Sequence, residues 1–151
     1  MGQESVHATK QRVGPEMRDR RDGMSLGVAV VLAGSALTLL ALLLPWWDSQ
    51  VGATANGFHD WGWLTFFALL LAGALLLLRL SGYTVRLSVS DATAWMAAGA
   101  VEVLGAVAFW FGNNTRISGG VRYGVFIAVI GGALTLAGGY LQWMENPADA
   151  E

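Results

Sequence analysis

The stretch from Met24 to Leu44, MSLGVAVVLAGSALTLLALLL, runs for 21 residues without a charged side chain. About 20 apolar residues in a helix suffice to cross the hydrocarbon core of a bilayer. Pro45 follows immediately, and a proline disfavours helix in the residue before it, so the span should end at Leu44. Three further stretches have the same character: 61–79, closed by Arg79; 92–112, set between a candidate N-cap at Asp91 and the pair Asn113-Asn114; and 122–144. Open strands leave backbone groups unsatisfied in lipid, so all four are read as helices. The expected fold is all-α: a polytopic membrane protein with four transmembrane helices in a compact bundle and a short outer hairpin loop.

Charge supports the division. Of 151 residues only 20 are charged, 13% of the chain. Residues 1–22 hold nine of them and 145–151 hold three, leaving eight for the 122 residues between. A soluble domain carries about twice that share of charge, so a water-exposed globule is excluded. Residues 1–22 are polar, mixed in sign and broken by Gly14-Pro15, which predicts a disordered tail. The transmembrane domain is placed at 23–144, followed by a short acidic tail at 145–151. With no cysteine, disulfides and thiolate metal sites are excluded. A net charge of −2 argues against a nucleic-acid partner.

Orientation follows from Lys and Arg. Lys10, Arg12, Arg18, Arg20, Arg21, Arg79 and Arg86 fall on one side, and Arg116 and Arg122 on the other. Seven against two predicts that both termini are cytoplasmic in a multi-pass plasma (inner) membrane protein. Tryptophan favours the membrane interface. Trp46, Trp47, Trp61, Trp63 and Trp110 are expected as anchors at the outer ends, and Trp95 and Trp143 near the inner ends. The first span is not expected to be a cleaved signal peptide, being too long and followed by Pro45-Trp46-Trp47.

In the first outer loop, Asn56-Gly57 is a two-residue turn signal, because both positions tolerate positive φ. It predicts a hairpin there. Asp48, His59 and Asp60 have the chemistry of metal ligands but no ligand spacing, so no metal is expected. Tyr83 to Ser90 alternates apolar and polar residues, which predicts an extended segment at the interface.

A helix ending in Leu44-Pro45-Trp46-Trp47, a short loop with Asn56-Gly57-Phe58, then Asp60-Trp61-Gly62-Trp63 opening the next helix, resembles small four-helix membrane proteins of high-GC Gram-positive bacteria. The resemblance covers residues 24–80 and implies a compartment, the plasma membrane, and not an activity. Claudin-type tetraspan proteins share the layout at a distance but carry a longer first outer loop with a cysteine pair, which this chain lacks.

Membrane helices associate through close packing of small residues. The first span carries Gly27, Val31, Gly34, Thr38 and Ala41, and the fourth carries Gly124, Ala128, Gly131, Thr135 and Gly138, both spaced for one helix face. On the third, Ala98, Gly99, Gly105 and Ala106 lie one turn either side of Glu102. These seams predict the bundle interfaces.

Glu102 is the one ionisable residue deep in a span. An unpaired charge there costs at least ~2.5–3.5 kcal/mol, and no basic residue shares its depth. The expected resting state is a neutral acid, hydrogen-bonded to Ser35 or Thr38 on the first span or to Thr135 on the fourth. Three roles remain open: a structural lock between helices, a docking contact for another membrane protein, or a proton or cation site. Small multidrug transporters also use four short helices and a membrane glutamate, but theirs is on the first helix, so the resemblance is architectural.

No Ser-His-Asp set, metal cluster or phosphate-binding glycine loop is present, so no catalytic residue, enzyme activity or cofactor is expected. Expected partners are the lipid bilayer and other membrane protein subunits, with a homo-oligomer as the alternative. The expected function is that of an accessory or interaction subunit of a larger membrane assembly. The alternative is a small homo-oligomeric proton-coupled transporter or channel using Glu102.

Overall fold

The computed structural model describes residues 24–49, 52–82, 89–114 and 119–145. Four helices dominate it: α1 (Leu26–Leu43), α2 (Gly62–Leu80), α3 (Asp91–Asn114) and α4 (Tyr123–Glu145). Each is long and apolar enough to cross a membrane, and each starts and stops within two residues of the span read from sequence. Leucine, isoleucine and phenylalanine side chains cover the outer faces, as with Leu40, Phe67, Leu77 and Ile130. Such surfaces are stable against acyl chains and not against water. The predicted extended segment at 83–90 and the tail at 1–22 lie outside the described residues, apart from Val89 and Ser90.

The helix ends show why the boundaries fall where they do. Ser25 caps α1, its hydroxyl accepting from the Val28 amide at 3.3 Å. At α3 the cap is Ser90, whose Oγ accepts from the Thr93 amide at 3.3 Å. Asp91, expected as the N-cap, instead occupies the first turn and pairs with Arg79 at 3.7 Å. The carboxylate suits the positive end of the helix dipole there.

Three short strands cap one end of the bundle: β1 (Pro45–Ser49), β2 (Thr54–Asn56) and β3 (Gly119–Val121), in the order β2-β1-β3, both pairings antiparallel. Trp47 faces Ala55 on one side and Val121 on the other. The short outer hairpin is therefore present, but its turn is not at Asn56-Gly57. β1 and β2 are joined through residues 50–53, where Gly52 has φ +83°. Gly57 instead lies against Leu42 and Trp46, where a Cβ would come within 2.6 Å of the leucine side chain. The Asn-Gly pair marks the exit from β2, where Gly57 opens the next turn and also allows the close approach. β3 lies in a loop too short to display strand periodicity. Arg122, just beyond it, pairs with Asp48 of β1.

The helices run up, down, up and down, and α4 packs along both α1 and α3. The α1–α4 contact is backbone against backbone. Gly27 meets Gln142, Gly34 meets Thr135 and Gly131, and Gly138 meets Val31, so the pairing descends one helix as it climbs the other. A Cβ at Gly34 would lie 2.5 Å from the Thr135 amide nitrogen. Gly124 sits against Trp46, Gly99 against the Leu136 and Gly132 backbones, and Gly105 against Thr65. Every predicted seam glycine is thus used within the chain.

Two apolar clusters fill the interior. One, at the sheet end, contains Leu42, Trp46, Leu69, Phe109 and Val125. The other contains Val31, Leu75, Leu76 and Trp95. Two of the expected interface anchors belong to these clusters, not to the surface. Trp46 is 0% exposed, packs edge-on against Phe109 at 5.1 Å and donates its indole N–H to the Ala41 carbonyl at 2.7 Å. Trp95 is also 0% exposed and lies beneath the Arg79 guanidinium at 5.3 Å. Charge counting sets depth along the membrane normal but carries no information on which way a ring faces. Trp61, Trp63, Trp110 and Trp143 are exposed at the helix ends, and Trp47 is half-buried.

Candidate functional site

Between the clusters lies a polar layer centred on Glu102. The residue sits midway along α3, and its side chain is 0% exposed. The other three helices each contribute a threonine. From α1, the Thr38 hydroxyl donates to Glu102 Oε2 at 2.9 Å. From α4, the Thr135 hydroxyl lies 3.4 Å from the same oxygen and 3.2 Å from the Gly131 carbonyl, sharing one proton between them. From α2, the Thr65 hydroxyl donates to the backbone carbonyl of Glu102 at 3.1 Å.

Local sequence explains the convergence. Thr38 and Thr135 interrupt the two glycine seams, so each threonine faces the partner helix at closest approach. Gly132 supplies the space on α4, since a Cβ there would come 2.9 Å from the Glu102 Cβ. Thr65 fits opposite Gly105 for the same reason.

Thr38 and Thr135 therefore join Glu102 as expected, and Ser35 does not. Ser35 is 8% exposed, and its Oγ has no hydrogen-bond partner among the described residues. It lies nearly one turn before Thr38 on α1 and lines a groove against α2. Thr65, Gly132 and Gln142 were not singled out from sequence. Gln142 is buried at the far end of α4 and accepts from the Ser25 hydroxyl at 2.6 Å. The small positions Gly62, Thr65, Ala68 and Ala72, spaced for one face of α2, are the signal that could have found Thr65.

The arrangement has a definite chemistry. Oε2 accepts both hydroxyls, while Oε1 has no partner among the described residues. A neutral carboxyl would carry its proton on Oε1, leaving Oε2 as the acceptor. Among the described residues no cation pairs with it: the ion pairs there, Arg79–Asp91 and Arg122–Asp48, lie at the bundle ends. The carboxyl is enclosed by its own chain.

The loop residues considered as metal ligands do not assemble. Asp48 is engaged with Arg122, and His59 Nδ1 lies 3.2 Å from the Asn56 side-chain oxygen. No group of three ligating side chains occurs among the described residues. Asn113 is buried in α3 and donates to the Phe109 carbonyl at 3.0 Å. No protein-family model matches the chain, and no curated protein matches it by sequence.

Proposed function

We propose that the protein is an integral membrane accessory or interaction subunit of a larger membrane assembly, without catalytic activity of its own. One observation carries this reading. Glu102, the one ionisable side chain buried among the described residues, is closed in by threonines from the other helices. Its hydrogen bonds hold α1, α3 and α4 at their crossing, which is what a structural lock requires. What remains for contact with the surroundings is the apolar exterior and the small strand cap. The Lys and Arg asymmetry supports an orientation with both termini in the cytoplasm and the strand cap outside.

A second reading has its own support. Glu102 Oε1 has no partner among the described residues, and a buried membrane carboxyl with spare bonding capacity suits a proton site. In that case the protein is a small homo-oligomeric proton-coupled transporter or channel. Purification in mild detergent separates the two. Foreign subunits in stoichiometric amounts support the first, whereas a stable homo-oligomer with proton-linked flux in liposomes overturns it.

A further inference from the structure

Asn56-Gly57 is a chemically labile pair as well as a structural one. An asparagine side chain can be attacked by the backbone nitrogen that follows it, and glycine, without a side chain, hinders that nitrogen least. The Gly57 nitrogen would bond to the Asn56 Cγ, the Cγ–Nδ2 bond would break, and the side-chain nitrogen would leave as ammonia with the backbone proton. Water then opens the resulting cyclic imide at either carbonyl, giving aspartate or isoaspartate. Water is the one co-reactant.

The fold opposes each part of this step. The reacting nitrogen is engaged, because the Gly57 N–H donates to the Leu42 carbonyl at 3.0 Å. That carbonyl lies in the last turn of α1, where helices leave carbonyls without a partner. Asn56 is held in β2, paired with Pro45 of β1. Its side-chain oxygen accepts from the Phe58 amide at 3.2 Å and lies 3.2 Å from His59 Nδ1, so the amide is tied to residues beyond Gly57.

Gly57 is also tightly seated. A Cβ there would come within 2.6 Å of the Leu42 side chain and 2.8 Å of the Trp46 ring, and a Cβ at Gly62 would strike the Gly57 carbonyl. Ring closure turns the Asn56–Gly57 peptide out of its strand conformation, so Gly57 must leave this seat. Its walls come from α1, β1 and α2, so the seat exists only while the strand cap is closed on the helix ends. Short terminal elements open more readily than the helices behind them.

We propose that Asn56 is a modification site gated by the fold. It remains an amide while the Gly57 N–H is bonded to Leu42, and converts to aspartate or isoaspartate in copies whose strand cap has opened. Each opened copy that reacts then carries a carboxylate at the edge of the cap.

The test incubates the full-length protein in liposomes, in mildly alkaline buffer, beside the same chain unfolded in urea and ionic detergent. Conversion at position 56 is followed by peptide mass mapping. The unfolded chain should convert at least about tenfold faster, since an opening cost of ~1.4 kcal/mol already gives that factor. Gly62→Ala, which pushes on the Gly57 carbonyl from the head of α2, should raise the rate in liposomes several-fold. Equal rates in the folded and unfolded wild type overturn the proposal, as does an unfolded chain that does not convert. A folded Gly62→Ala protein as well protected as wild type also overturns it. Thermal unfolding of the same preparations shows whether Gly62→Ala has folded, and if it has not, the wild-type comparison decides.

Discussion

The Thr38 hydroxyl on α1 donates to Glu102 Oε2 on α3 at 2.9 Å, across 64 positions of sequence. It is the shortest link in the polar layer, and Thr135 adds a longer one to the same oxygen. A double-mutant cycle of Thr38→Val with Glu102→Leu should therefore show coupling, about 0.6 kcal/mol and at most about 1.7. The same cycle with Ser35→Ala should show none. Thermal unfolding in detergent provides the measurement.

The α1–α4 seam makes a stronger prediction. At Gly34 a side chain has no room, because the Thr135 amide lies 2.5 Å from where its Cβ would be. Gly34→Leu should destabilise the bundle by about 1–3 kcal/mol or more, the usual cost of overpacking. Gly73→Ala should be close to neutral, since its Cβ meets nothing. Equal losses at the two sites would mean that the seam is not closely packed.

The tryptophans should divide by burial and not by depth. Trp46 and Trp95 are wholly enclosed, so alanine at either should cost about 3–5 kcal/mol. Trp61, exposed at the head of α2, should cost much less. Comparing unfolding midpoints of the three variants checks this directly.

Orientation can be tested with introduced cysteines, since the chain has none of its own. Thr54 in β2 and Ser81 beyond α2 are both exposed. A cysteine at position 54 should react with an impermeant thiol reagent on intact cells, and one at 81 only after lysis. The opposite pattern would invert the topology.

The four helices were legible because each is a long apolar run ended by a residue that helices or lipid reject, such as Pro45 or Arg79. The glycine seams were legible for a related reason, since small and polar residues on an apolar face have few uses in lipid, and so was a hydroxyl contact to Glu102, with Ser35, Thr38 and Thr135 as alternative donors. The strand cap was only half-visible. Asn56-Gly57 has the composition of a turn, yet its glycine answers a tertiary demand from Leu42 and Trp46 that no local pattern records. β3 is three residues long, too short for periodicity. The inward facing of Trp46 and Trp95 likewise depends on which neighbours a helix acquires. Ser35 and Thr38 are only three positions apart on α1, and nothing local distinguishes them. The wide α1/α2 gap decides that one joins the glutamate while the other faces the groove.

The central claim is that the Glu102 carboxyl holds helices together and does not move protons, and Glu102→Gln tests it most directly. Glutamine keeps a side-chain oxygen able to accept from Thr38 and Thr135, but it cannot titrate in the working range. The measurement is proton flux into liposomes containing wild type or Glu102→Gln, with thermal stability recorded on the same preparations. The account predicts equal stability and the same flux as protein-free liposomes for both. Proton flux through the wild type that disappears in an equally stable Glu102→Gln protein would contradict it.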